Sequence, residues 1–299
     1  MTTAETAIRI SDLTVRYGRK TAVENATLTV DRGSVYALLG RNGAGKSSLV
    51  RCLVGQQKPT AGRIELFGED VWKRRAALME RVGVVSEEAD APPEMRVAEL
   101  ARFGASLYSR WDQPAVDDRL RRFGIPSKAK YGDLSKGQKK QVSLALALAP
   151  SPDLVILDDP TLGLDVVARK ALFEEVIAEL ADRGITVLLT THDLAGVETI
   201  ADRVAILRDG RLVLDEEMEA LKSRFRRVRF ASQPVAFGGG NLQTAAVRAW
   251  GAGTEAVVSN YDELAFERFR SASNIAAAEI APLSLEEIFI AVTGEGAQS

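Results

Sequence analysis

From about residue 8 to residue 215, short apolar runs alternate with longer stretches of mixed polarity. The runs at residues 34–39, 154–157 and 185–190 carry almost no polar side chain. Strands buried on both faces of a parallel sheet have this pattern. Residues 8–15 alternate and read as a strand ending at Tyr17-Gly18. A second strand covers 25–30, and Asp31-Arg32-Gly33 turns the chain into the 34–39 run. Further short strands fall at 62–68, between glycines, and at 81–87. Helices are predicted over 48–53, 97–108, 114–123 (stopping at Gly124) and 168–180. Another helix starts at Ser135 and includes 142–149, where Ala and Leu alternate in size but not in polarity; both are good helix formers and poor strand formers. Strands at 204–208 and 211–214 flank Asp209-Gly210, a pair suited to a tight hairpin turn.

Strands alternating with helices imply an α/β fold. Within it, residues 88–149, opening with a loop at 89–93, form a helical insertion and not more sheet. After Asp215 the texture shifts again. Residues 222–229 are basic, and are read as a helix end plus a strand with its charges in solvent; the other reading is a contact with anionic lipid. Gly238-Gly239-Gly240 suits a flexible turn, 256–258 and 274–280 suit strands, and 285–292 suits an amphipathic helix capped by Ser284. The expected organisation is a main domain over 1–221 and a small α+β appendage over 222–299. No internal repeat is visible.

Composition narrows the picture. The chain has 299 residues, 46% hydrophobic and 27% charged, with a net charge of −2. That fits a globular protein with a sizeable core and does not point to nucleic acid. The single cysteine, Cys52, rules out an internal disulfide, fits a reducing compartment, and reads as a small buried residue of the first helix. No apolar run approaches the ~18–20 residues of a membrane helix, and the N-terminus has no basic-then-apolar leader pattern, so a membrane role would come through a partner chain.

The chemistry centres on residues 40–48, Gly-Arg-Asn-Gly-Ala-Gly-Lys-Ser-Ser. They follow a buried strand and open a helix. Glycines let successive backbone N–H groups wrap a phosphate, and the helix N-terminus points at the anion. Lys46 is placed to reach the terminal phosphates, and the Ser47 hydroxyl to bind Mg²⁺. Three other clusters stand out: Leu134-Ser135-Lys136-Gly137-Gln138; the strand ending in Asp158-Asp159 with Leu162-Gly163-Leu164-Asp165 beyond it; and His192, the only histidine, just past an apolar strand. A lone histidine is more often structural, but the carboxyl edge of an α/β sheet is where ligands sit.

Together, over about residues 8–215, these clusters resemble the nucleotide-binding subunit of ATP-binding-cassette (ABC) transporters. The resemblance implies a fold class: α/β, a P-loop NTPase core with a mixed sheet, a helical insertion subdomain and a C-terminal α+β appendage. It implies ATP and Mg²⁺ as ligands. It assigns Tyr17, otherwise a core or turn aromatic, to stacking on adenine, and Gly40, Arg41, Asn42, Gly43, Ala44, Gly45, Lys46, Ser47 and Ser48 to the phosphates. Ser135, Lys136, Gly137 and Gln138 match the signature motif that binds ATP held by the opposite subunit. Asp158 matches the acid holding Mg²⁺ through water, Asp159 the catalytic base, Asp165 the loop coupling two sites, and His192 the switch histidine at the γ-phosphate. Glu87 stands where the family usually has a glutamine that touches Mg²⁺ and faces the membrane partner.

Two departures bear on mechanism. Asp159 replaces the usual glutamate and falls roughly 1.5 Å short of its reach; general-base positioning is worth about 10²–10⁴ in rate. Glu87 and the run 82–90, with 107–112, are similar to a bacterial exporter-type branch, as is the SLEEIF stretch at 284–289. The expected partners are ATP, a second cassette (identical or not) and a separate transmembrane permease at the inner face of the cell membrane, with no nucleic acid. Two other readings stay open: a soluble ABC ATPase, opposed by the single cassette and the absence of heptads, and a nucleotide sensor that barely turns ATP over, supported by Asp159 alone.

Overall fold

The computed structural model describes residues 5–87, 91–231, 242–273, 275 and 277–294. The predicted turn at 238–240 lies outside them. Two compact units divide the chain: residues 1–196 with 203–215, and residues 197–202 with 216–299.

The first unit opens with β1 (Thr6–Tyr17) and β2 (Lys20–Asp31), which pair antiparallel as a long hairpin. Next come β3 (Val35–Leu39), α1 (Lys46–Leu53), β4 (Ala61–Leu66), the two-residue β5 (Glu69–Asp70), α2 (Val71–Met79) and β6 (Val82–Val85). The helical block supplies α3 (Val97–Leu107), α4 (Gln113–Arg122) and α5 (Lys136–Leu148). It is followed by β7 (Leu154–Asp158), α6 (Val166–Arg183), β8 (Thr186–Thr191), α7 (Leu194–Glu198), β9 (Arg203–Arg208) and β10 (Arg211–Glu217).

Two sheets result. One has the order β2-β1-β4-β5, with β1–β4 and β4–β5 also antiparallel; the other has the order β10-β9-β3-β8-β7-β6. In the second, β9-β3-β8-β7-β6 all run parallel. Every residue of β3, β7 and β8 is buried, as their unbroken apolar runs require. Asp209 and Gly210 both have positive φ, 49° and 80°, the geometry of a type I′ turn between β9 and β10. Each buried Val, Leu or Ile here contributes about 1.5–3 kcal/mol.

The helical block has its own core, built on Val97, Leu100, Val116, Leu120, Val142 and Ala145. α4 is also joined to α6 by a buried ionic cluster that periodicity does not reveal. Arg119 Nε donates to Glu175 Oε1 at 2.7 Å and pairs with Glu179 through Nη2; Arg122 reaches Glu175 at 2.8 Å and Arg183 reaches Glu179 at 3.0 Å. Arg119, Glu175 and Glu179 are all buried.

In the second unit, α8 (Met218–Arg224) leads into β11 (Arg226–Phe230), then β12 (Thr244–Trp250), β13 (Gly253–Val258), α9 (Glu263–Ala272), β14 (Ala278–Pro282) and α10 (Leu285–Thr293). The sheet order is β12-β13-β11-β14, all antiparallel. Phe266 and Phe269 of α9 share a core with Val228, Phe230, Ala256 and Val258. Ser284 caps α10 in a reciprocal box with Glu287. Helices α2, α7 and α9 and strand β12 are absent from the pattern reading: α2 is rich in Lys and Arg, α7 is five residues long, and β12 alternates weakly. The 81–87 run is shorter than read: β6 ends at Val85, leaving Glu87 in a loop.

The buried ions yield a stability prediction. Arg119→Ala leaves two buried carboxylates short of charge and lowers unfolding free energy by about 3–5 kcal/mol, measured by urea denaturation. Arg119→Met combined with Glu175→Leu and Glu179→Leu recovers most of that loss, because the buried charges are gone together and the partners released, Arg122 and Arg183, reach solvent.

Candidate functional site

The loop after β3 is built from constraints that only glycine meets. Gly45 has φ 112°, and a Cβ there would lie 2.3 Å from the Ala22 carbonyl oxygen. A Cβ on Gly40 would lie 2.6 Å from the Leu207 carbonyl oxygen. The backbone therefore packs against two neighbouring strands, and α1 starts at Lys46, two residues earlier than the apolar pattern suggests. Gly40 and Ala44 are buried. Arg41, Asn42, Gly43, Gly45, Lys46, Ser47 and Ser48 line a cavity of about 590 Å³ with Tyr17, Glu87 and Asp159. Lys20 and Ala22 of β2 also line it, and nothing in their sequence context marks them.

Lys46 is buried and donates to the Gly40 carbonyl at 2.7 Å and the Arg41 carbonyl at 3.3 Å. Burial lowers its pKa from the ordinary 10.5, partly opposed by the carboxylates of Asp159, Asp158 and Glu87. The Tyr17 hydroxyl donates to Gln57 Oε1 at 2.5 Å and lies 3.3 Å from Ser48 Oγ, so the half-exposed ring is tethered to the loop helix.

Asp158 ends β7 and Asp159 follows it, beside the end of β8. Thr190 donates its hydroxyl to Asp158 Oδ1 at 2.5 Å, and the Thr190 carbonyl accepts from the Asp159 amide at 2.8 Å. Thr191 donates to Asp159 Oδ1 at 3.4 Å. His192 Nδ1 sits 2.8 Å from Asp159 Oδ2. Asp159 takes φ 45°, a left-handed conformation that aspartate adopts more readily than most residues with a side chain. Thr190 and Thr191 thus orient both acids. Their only mark in the sequence is two hydroxyls closing an apolar strand.

Glu87, exposed at the cavity wall, is anchored by its backbone: buried Lys140 of α5 donates to the carbonyls of both Ser86 and Glu87 at 2.5 Å. The residues that could hold a cation are Ser47, Asp158 and Glu87, whose oxygens are all hard and would suit Mg²⁺ better than a softer metal. Among the described residues no three His, Cys, Asp or Glu side chains form a metal cage, so phosphate oxygens and water would complete such a shell.

The remaining predicted residues gather elsewhere. Ser135, Lys136, Gly137, Gln138 and Asp165 line a second cavity of about 580 Å³, with Gln141, Gly163, Val167 and Ala168. Ser135 Oγ accepts the Gln138 amide at 3.2 Å while Gln138 Oε1 accepts the Ser135 amide at 3.0 Å, so these two side chains are engaged in capping α5. Asp165 Oδ1 accepts the Ala168 amide at 2.8 Å, in the first turn of α6. Val167, 78% exposed, lies at the rim.

The family profile described as ABC transporter matches residues 23–162. The chain is 34% identical over 224 residues to the bacitracin transport ATP-binding protein BcrA of Bacillus licheniformis, covering 74% of this chain and 73% of that one. It is 34% identical over 295 residues to a fluoroquinolones export ATP-binding protein of Mycobacterium tuberculosis, covering 96% and 93%. A solved ATP-binding subunit of an ABC transporter superposes with a TM-score of 0.67 at 30% identity, over 73% of this chain and 92% of that one. The chain belongs to the ABC transporter family, as an ATP-binding and ATP-hydrolysing subunit.

The state of Lys46 sets a pH dependence. An ammonium at this position would pair with phosphate, so ATP affinity is expected to be full below the lowered pKa and to fall as pH rises through it, earlier than for an exposed lysine. Calorimetric titration of ATP across the alkaline range shows that decline. Lys46→Arg, whose guanidinium stays charged, removes the decline even if its affinity is lower throughout.

Proposed function

We propose that this chain is one half of an ATP-driven dimer that powers a separate membrane permease in the export direction. The observation that carries the reading is the division of the predicted residues between two cavities of one chain. One holds the phosphate loop, Glu87 and Asp159; the other holds Ser135–Gln138 and Asp165. Two copies facing each other would each complete the other's half-site around ATP. The exposed Val166, Val167 and Leu162 beside the second cavity are the apolar surface such a contact would cover. The export direction rests on relatives such as the fluoroquinolones export protein. The location that follows is the cytoplasmic face of the membrane, through the permease.

In this mechanism the loop amides and Lys46 hold the β- and γ-phosphates and draw charge from the γ-phosphorus. Ser47 and Asp158, with Glu87 beside them, would hold Mg²⁺, which neutralises phosphate charge. Tyr17, fixed by Gln57, offers its ring to adenine. Asp159 accepts a proton from the water that attacks the γ-phosphorus, and the bond to the leaving ADP oxygen breaks. His192 orients that carboxylate through Nδ1, which leaves Nε2 of the same ring for the γ-phosphate. In this reading Asp159 serves as the base despite its shorter reach, and the contacts it receives from Thr191 and His192 at the end of β8 support that role.

Steady-state hydrolysis tests this directly. Turnover by the purified chain with Mg²⁺ rises more than linearly with protein concentration. Asp159→Asn lowers kcat by about 10²–10⁴ while ATP still binds. His192→Ala has a comparable effect on kcat, and Lys46→Ala abolishes binding. Binding without turnover in the wild type, at every concentration, would favour the nucleotide-sensor reading instead.

A further inference from the structure

The second unit contains a cavity that the ATPase reading leaves unused. Its floor is one face of the four-stranded sheet. Registers Arg227↔Val257, Arg229↔Glu255, Ala246↔Val257 and Arg248↔Glu255 put these residues on the same face, opposite the apolar face that packs α9. Leu283 and Ile290 of the C-terminal segment close one side. The volume is about 240 Å³, just below the ~300–1,000 Å³ of sites for drug-sized molecules, so an occupant would be small.

The lining pairs an apolar wall, Val257, Leu283 and Ile290, with four charged side chains, Arg227, Arg248, Glu255 and Glu287. The carboxylates are already satisfied. Glu255, 2% exposed, receives Arg248 Nε at 2.7 Å and Nη2 at 2.6 Å on one oxygen, and Arg229 Nε at 2.7 Å on the other. Burial alone would raise its pKa, but the arginine hydrogen bonds outweigh burial and hold it below the ordinary value, so it is an ionised acceptor. Glu287 binds Arg227 through one oxygen and Ser284 through the other. The arginines are not satisfied. Arg227 Nε is buried, 3.8 Å from Glu255 Oε2, and hydrogen-bonds to no group among the described residues. Arg248 keeps 63% of its side chain open to solvent while bonded to Glu255. The unused hydrogen-bonding capacity of the cavity is therefore donor capacity, held by guanidinium groups beside an apolar wall.

We infer that this cavity is a binding site for a small amphipathic carboxylate, its anion on Arg248 and Arg227 and its apolar body against Val257, Leu283 and Ile290. A cationic ligand would meet two acids that already have partners. A neutral apolar ligand would displace water from the open donors of Arg248 without replacing its hydrogen bonds, at a cost. A site of this kind on a transport ATPase subunit would let a small organic acid be sensed apart from ATP.

The probes are phenylacetate, its neutral isostere phenylacetamide, and acetate, titrated into the full-length protein by isothermal calorimetry. Phenylacetate is expected to bind saturably at one site per chain. Phenylacetamide and acetate each bind at least about tenfold more weakly, the first lacking a charge-assisted hydrogen bond and the second an apolar body. Arg248→Gln weakens phenylacetate at least about tenfold, because the exposed arginine supplies the charge. Ala246→Leu fills the cavity without altering charge and removes binding, and circular dichroism with unchanged ATP binding shows both variants folded. No saturable phenylacetate binding to the wild type would overturn the inference. So would equal binding of phenylacetamide or acetate, or folded variants that bind phenylacetate as tightly as the wild type.

Discussion

Parallel register places the chemistry of the first unit. β3, β8 and β7 are neighbours, and Leu39 pairs with Thr191 while Asp158 pairs with Thr190. The phosphate loop begins one residue after the end of β3, Asp159 directly follows β7, and His192 directly follows β8. Three segments far apart in sequence therefore leave the sheet at one edge, at one level. A slip of one residue on β8 would turn Thr190 away from Asp158 and carry His192 off Asp159. The apolar character of these strands is what makes such a slip costly, since both faces are buried and every side chain has a fitted place. The core is thus the reason the polar groups meet.

The sheet alone does not place Glu87 or the start of α5. Those depend on polar anchors inside the helical block. Lys140 holds the backbone at Ser86 and Glu87 from the second turn of the helix that Ser135 caps. One helix therefore carries the Ser135–Gln138 cavity at its N-terminus and the support of Glu87 a turn later. A displacement of α5 would move both, so the Ser135–Gln138 cavity and the backbone at Glu87 are mechanically linked in this chain. The cluster on Arg119 performs a similar service between α4 and α6, at the desolvation cost that buried ions bring.

The parts legible in the sequence were those set by local rules. Buried strands declare themselves by unbroken apolar runs, the phosphate loop by its glycines and lysine, and the caps at Ser135 and Ser284 by short-range hydrogen bonding. The fold class and the family followed from these. What was illegible depends on partners distant in sequence. Lys140 looks like one more basic residue in Lys-Gly-Gln-Lys-Lys, and only the fold shows its ammonium buried on two carbonyls. Thr190 and Thr191 look like strand formers until the register sets them against the acids. In the second unit β12 and α9 were missed, because half of β12 is exposed and its apolar positions face a sheet whose other strands lie on both sides of it in sequence.

The same distinction explains the aspartate at 159. From the sequence it is a shorter acid where a longer one is usual, and reach alone predicts a weaker base. In the structure, reach is one of several terms. The left-handed backbone at φ 45° sets the direction of the carboxylate, the Thr190 carbonyl pins its amide, and His192 and Thr191 contact its two oxygens. General-base catalysis depends on where the acceptor oxygen is held more than on the length of the chain that carries it. Two constraints on the backbone and two on the carboxylate leave this short side chain little rotational freedom, whereas an extra methylene would add a torsion and displace the contact with His192. The departure at Asp159 is therefore accompanied by its own supporting contacts, at the backbone amide and at both carboxylate oxygens.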